Sequence, residues 1–197
     1  MTSKSFAVLF GTTLLLAGCG HKDANDAATA NAVMDNGAMN SLATDNANMN
    51  AATVADSGTS QGFVNGAAAS DRFEIDGSKM AASSAKSAAI KSFASKMIAA
   101  HTASSQKLKT TASAETPALT VDDTLTTAQQ QSLDGLKGKT GADFDTAYAA
   151  AQVTGHQATL DMLKKYAASG SDAKLKDLAN SLIPTVTAHL NMAKGLK

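Results

Sequence analysis

Apolar residues are spread unevenly along this 197-residue chain. A continuous run from Phe6 to Leu16 comes first. Residues 20–60 then pass without sustained periodicity, and from Gln61 onward apolar side chains recur at intervals of three and four. That spacing is the mark of helices with one buried face. It predicts a first helix over Gln61–Ser83, with Val64, Ala67, Ala68, Ile75 and Ala82 on one face. A second is predicted over Ser87–Thr111, carrying Ile90, Phe93, Ala94, Met97, Ile98 and Leu108. A connection through Pro117 and Leu119–Asp123 follows, and Thr127–Leu136 reads as a short extra helix.

The third long helix is predicted from Gly141 to Ser169, with Phe144, Tyr148, Val153, Leu160, Leu163 and Ala167 on its stripe. Asp143 falls in its first turn, where a negative charge suits the helix dipole. Gly170 suits a left-handed cap at its end. The fourth runs from Ser171 to Lys194, with Leu175, Leu178, Ala179, Leu182, Val186, Leu190 and Ala193 aligned. Pro184 lies inside it and should kink it or free a carbonyl. The links near Ser84–Lys86 and near Gly170 are short, which forces antiparallel neighbours. The expected fold is all-α: an antiparallel four-helix bundle, with the middle connection crossing the bundle diagonally or covering one end. Residues 61–197 are long enough for one such domain.

Composition changes the picture for the segment before it. Residues 20–60 are dominated by Ala, Asn, Asp, Met and Gly, with no aromatic residue. Such a segment buries too little surface to offset chain entropy. We read residues 19–60 as a tether with a mean reach of ~35 Å at random-coil scaling. Its Met34, Met39 and Met49 are scattered in the way composition alone produces. The 17 basic residues balance the 17 acidic ones, and no basic stripe with interleaved aromatics occurs, so nucleic acid is not an expected partner.

The N-terminal run explains the placement of the single cysteine. Lys4 precedes the apolar stretch, which has the length of a secretory signal and is too short to span a bilayer. It ends in Leu16-Ala17-Gly18-Cys19, which resembles a bacterial lipobox. The resemblance implies a signal peptide over residues 1–18, a diacylglycerol thioether on Cys19, and acylation of the new amino terminus by a fatty acid such as palmitate. Several acyl chains together anchor stably, at ~0.8 kcal/mol per buried methylene. Gly20, where inner-membrane lipoproteins of enterobacteria carry aspartate, implies the outer membrane. The expectation is a lipid-anchored envelope protein facing the periplasm, with the membrane as its partner.

Polar residues occupy several positions where the stripes call for apolar ones. His101, His156 and His189 lie one each on the second, third and fourth stripes. The first stripe has no histidine but carries Asp71 and Glu74. Counted from the turn near residue 85 at ~1.5 Å per residue, Glu74 and His101 differ in height by ~7 Å, and Asp71 matches His101 better. His156 and His189 differ by ~7 Å on the same count, so the groups fill one layer or two. Imidazoles with a carboxylate suit zinc, iron, copper or nickel. The candidate ligands are Glu74, His101, His156 and His189, with Asp71 in reserve or behind them. The alternative is a structural network in which each histidine satisfies a local hydrogen bond. A di-iron oxidase needs Glu-x-x-His on two helices, but Ile98, Val153 and Val186 stand three residues before the histidines. No nucleophile with a base, no general acid–base pair and no phosphate loop is readable, so no catalytic residue is named.

Four stretches carry a family resemblance: FVNGAAASDRFEIDGSKMA, IKSFASKMIAAHTASSQKL, GADFDTAYAAAQVTGHQATLDMLKKYAASGSD and LKDLANSLIPTVTAHLNMAKGL. In this order they resemble a bacterial family of exported proteins known as domain of unknown function 4142, over about residues 62–196. The resemblance implies a ferritin-like bundle whose recurrent polar positions correspond to Glu74, His101, His156 and His189. The family often places an aspartate before the second-helix histidine and an acidic residue near the third-helix one. Here Ala100, Thr154 and Gly155 stand there, which puts any carboxylate support of the imidazoles from those positions in doubt. Two functions remain open: an envelope protein whose bundle binds a transition metal for storage, sensing or protection, and a non-enzymatic envelope or stress-related interaction protein whose polar layer sets helix register.

Overall fold

The computed structural model describes residues 58–196; the expectations for the signal peptide, Cys19 and most of the tether lie outside them. Five helices follow one another: α1 Ser60–Ser84, α2 Ala88–Ser113, α3 Thr127–Leu136, α4 Gly141–Ser169 and α5 Ala173–Lys194. No described helix is long and apolar enough to cross a membrane.

Local chemistry explains where the helices begin. Thr59 accepts from the Gly62 amide at the start of α1, and Asp172 accepts from the Leu175 amide at the start of α5. At α3, Thr126 and Gln129 form a reciprocal capping box. Asp143 does lie in the first turn of α4. The amides entering α2 are satisfied from another helix: Asp145 of α4 accepts from Lys86 N at 3.0 Å and from Ser87 N at 2.9 Å. This buried carboxylate therefore pins the α1–α2 turn to α4 just ahead of the first residue of α2.

The long helices form a square in which α1 borders α2 and α4, and α5 borders α4 and α2. Phe63 stacks on Tyr166 at one end of the α1–α4 seam, and Ser78 bonds Tyr148 further along it, so these two run antiparallel. All neighbours are then antiparallel and the diagonals parallel. The middle connection must return the length of the bundle, and it does so along α1. Gln61 donates to the Thr120 carbonyl, Asn65 accepts from the Asp122 amide, and Arg72 pairs with Asp123. Helix α3 then packs on α1 and α4, with Leu133 and Leu136 buried. One long crossover of this kind is the ferritin-like arrangement.

Two details depart from the sequence expectation. Ile75 is half-buried and Ala82 exposed, whereas Phe63, Phe73 and Ala81 are buried. The inner face of α1 runs through Asp71, Glu74 and Ser78, as their place on the first stripe implies, and Ile75 and Ala82 fall to its side. Gly170 adopts extended rather than left-handed backbone, at φ −61°. Its need for glycine is spatial, since a Cβ there would lie 2.6 Å from the Tyr166 ring and carbonyl. Helix α5 passes through Pro184 without a break. The Asn180 carbonyl loses its amide partner there, but Asn180 and Pro184 are both exposed, so water replaces it.

The apolar interior is divided. One cluster gathers Phe63, Val64, Leu108, Leu163, Tyr166 and Leu175, and the other gathers Ile90, Phe93, Met97, Phe144, Tyr148 and Leu136. Between them lies a layer of Asp71, Glu74, His101, Gln152, His156 and His189, all buried. If Asp145 fastens the α1–α2 turn, Asp145→Ala should cost about 1.5–3 kcal/mol, the range for a hydrogen bond to a charged group. Urea unfolding checks this, and Asp145→Asn should recover part of the loss because its amide oxygen still accepts.

Candidate metal centre

Each histidine reaches the layer because its helix places it on the core stripe: His101 is one turn beyond Met97, His156 two turns beyond Tyr148, and His189 beside Leu190. The three rings meet there. Their centroids are 5.6 Å apart for His101–His156, 5.6 Å for His101–His189 and 5.4 Å for His156–His189. One ligand atom from each lies within 4.8 Å of the others.

The outer nitrogens of two rings are held. His101 Nδ1 bonds Asp71 Oδ1 at 2.8 Å, and Asp71 Oδ2 in turn accepts from Ser105 Oγ at 3.1 Å. His156 Nδ1 bonds the Gln152 carbonyl at 2.8 Å. With a proton on each Nδ1, both Nε2 atoms carry free lone pairs. These two Nε2 atoms, and His189 Nδ1, are buried without a hydrogen-bond partner. Imidazoles whose far nitrogens are fixed by a carboxylate or a carbonyl are arranged as metal ligands are. Metal–nitrogen bonds of ~2.0–2.1 Å hold donors about 3.4 Å apart, so the rings would need to draw in by roughly 1 Å.

The carboxylates occupy other places than the imidazoles. Asp71 stands behind His101 and orients it. Glu74 Oε1 is 3.4 Å from His156 Nδ1, on the side of the ring turned away from Nε2, and neither of its oxygens makes a well-formed hydrogen bond. Glu74 is not part of the group of converging ligand atoms. Gly155 leaves room for it: a Cβ at that position would lie 2.8 Å from Glu74 Oε1 and from the Phe73 ring. Gln152 and Ser105 were not singled out from the sequence. Both sit one helical turn from a histidine, Gln152 before His156 and Ser105 after His101, and that spacing is the signal that marks them.

Burial dominates the electrostatics. It pushes the Glu74 carboxyl up to about 7, against the pull of the His101 charge and the Gln152 amide. It drives His156 down to about 4, with the Gln152 carbonyl opposing and the other two histidines adding. It also drives His189 down to about 4, helped by His101. At His101 burial works against the charge, but the Asp71 hydrogen bond and the Glu74 and Asp71 charges outweigh it and hold the ring above its usual value. Two of the three imidazoles are thereby kept neutral at neutral pH, the form that binds metal.

The fold and the centre define an all-α bundle protein with a buried three-histidine cluster. The family model described as domain of unknown function (DUF4142) matches residues 23–196, and the chain belongs to that family. Among solved structures it resembles CopM in the Cu(II)-bound form, with 18% identity, a TM-score of 0.58, and coverage of 70% of this chain and 94% of CopM. CopM in the Ag-bound form, obtained by co-crystallization, matches with 18% identity, a TM-score of 0.56, and coverage of 70% and 93%. No curated protein matches the chain.

The burial of Glu74 has a pH signature in the metal-free protein. Its folded value of about 7 exceeds the ordinary 4.5, so its stabilising contribution is complete below 4.5 and is lost as pH rises through 7. His156 and His189, lowered from 6.5 to about 4, act in the opposite sense and weaken the fold as pH falls from 6.5 toward 4. Glu74→Gln removes the first effect, together with the support that the Glu74 charge gives His101, and leaves the burial of His156 and His189 in place. Its melting temperature should gain on the wild type more at pH 8 than at pH 5, and an equal difference at both would contradict the assignment.

Proposed function

We propose that this chain is a metal-binding protein of the bacterial cell envelope, anchored by lipid on Cys19, whose bundle holds one transition-metal ion through His101, His156 and His189. One observation carries the metal reading. Three imidazoles meet between two apolar clusters with one ligand atom of each within 4.8 Å of the others, and each ring has a buried nitrogen without a hydrogen-bond partner. A network serving only to fix helix register would be expected to satisfy its own members, because each unsatisfied buried group costs roughly 1–3 kcal/mol. An ion accepts all three lone pairs at once.

Copper-class ions suit the donors best. Imidazole binds zinc, iron, nickel and copper alike, but copper heads the affinity order for divalent ions. Bundles of similar fold have been captured with Cu(II) and with Ag. Asp71 serves by fixing the tautomer of His101. Glu74, beside His156 Nδ1 and outside the converging ligand atoms, supplies nearby negative charge for the bound cation. Storage, sensing or protection needs only reversible binding. The membrane anchor rests on the lipobox-like Leu16-Ala17-Gly18-Cys19 and on the charged and apolar residues before it. Gly20 favours the outer membrane.

Elemental mass spectrometry on the full-chain protein, loaded with copper and then desalted, tests the metal reading. About one ion per chain is expected, lost in His156→Ala and retained in His21→Ala. Asp71→Asn should weaken binding about 10–100-fold, as loss of an orienting partner does at other metal sites. A wild type that retains no metal would leave the three histidines as a structural layer. For the anchor, metabolic labelling with a palmitate analogue should mark the wild type and not Cys19→Ser.

A further inference from the structure

The three imidazoles are not equally held. His101 and His156 have their outer nitrogens fixed by Asp71 and by the Gln152 carbonyl. Among the described residues no hydrogen bond fixes the ring of His189, and its Nδ1 is buried without a partner. It is also the most exposed of the three, at 7% against 4% and 1%. A second observation lies beside it. Met192 is 38% exposed and is the one large hydrophobic residue of that kind among the described residues. It follows His189 by three positions on α5, which places the two Cβ atoms about 5–6 Å apart on neighbouring turns. A thioether is a soft donor that selects monovalent copper and silver over harder ions.

We propose that the centre exchanges its ion through His189, with the Met192 thioether as the surface donor that passes a soft monovalent ion, Cu(I) or Ag(I), to it. This rests on the metal-binding reading above. It makes the ion a cargo: two rigid imidazoles hold it while the third swings to admit or release it. A soft donor on the surface one turn away gives the incoming ion a ligand before the buried ones are reached.

The test is a loading and release experiment on the full chain with Ag(I) or Zn(II) supplied from a chromophoric chelator. Met192→Leu keeps the size and exposure of the side chain and removes the sulfur. It should slow Ag(I) loading severalfold, leave the final Ag(I) occupancy unchanged, and leave Zn(II) loading as in the wild type. Wild type and variant share Met34, Met39 and Met49, so the difference isolates Met192. His189→Ala should still hold Ag(I), more weakly and with faster release, whereas His156→Ala should lose it. Unchanged Ag(I) loading in Met192→Leu, or equal slowing of both ions, overturns the route. Equal loss of Ag(I) in His189→Ala and His156→Ala overturns the exchangeable ligand. A wild type that takes up neither ion refutes the metal reading itself, and that result is separate from the others.

Discussion

A hydrogen-bonding nitrogen buried without a partner destabilises a fold by roughly 1–3 kcal/mol, and this bundle buries His101 Nε2, His156 Nε2 and His189 Nδ1 in that condition within one layer. The surrounding architecture holds the layer in place. An apolar cluster closes it off at each end, with Phe63, Tyr166 and Leu175 on one side and Ile90, Phe93 and Phe144 on the other. Burial on both sides keeps water away, lowers the proton affinity of His156 and His189, and leaves their lone pairs available. The same burial makes ionised Glu74 costly, so a nearby positive charge would stabilise it.

The supporting contacts are graded. His101 is held through a chain of three side chains, from its own ring to Asp71 and on to Ser105. His156 is held by a backbone carbonyl of its own helix, which moves only if α4 moves. His189 has no such support. A centre with all three rings clamped would favour permanent retention; one with a loose ring near the surface favours exchange. The asymmetry lies in the neighbours: Asp71 of α1 bonds the His101 ring and the Gln152 backbone carbonyl bonds the His156 ring, whereas among the described residues neither Thr185 nor Ala193, one turn from His189, bonds its ring.

Much of this is legible in the sequence, for identifiable reasons. The helices can be read because apolar residues recur with helical spacing, and the bounds of α3 and α4 coincide with those expected. The three histidines can be picked out because each interrupts an apolar stripe. Their heights along the bundle are harder. Counting from loops places Asp71 level with His101, and the structure bonds the two, but it leaves an uncertainty about as large as the separation between ligands. The inner face of α1 is legible through Val64, Ala67, Asp71 and Glu74, but Ile75 and Ala82 fall to its side. A glycine directly after a helix points to a left-handed cap, but at Gly170 the constraint is the Tyr166 ring, a contact within the last turn that composition cannot reveal. Gln152 escaped notice because its backbone carbonyl, not its residue type, fixes His156.

The central claim is that three imidazole nitrogens from three helices converge on one ion, and X-ray absorption at the copper edge of the copper-loaded full chain tests it most directly. The account predicts a first shell dominated by nitrogen at ~2.0 Å with the outer-shell scattering of about three imidazole rings, falling by one ring in His189→Ala. A shell of oxygen or sulfur without imidazole scattering, unchanged in that variant, would show that the ion sits elsewhere and that the layer is structural.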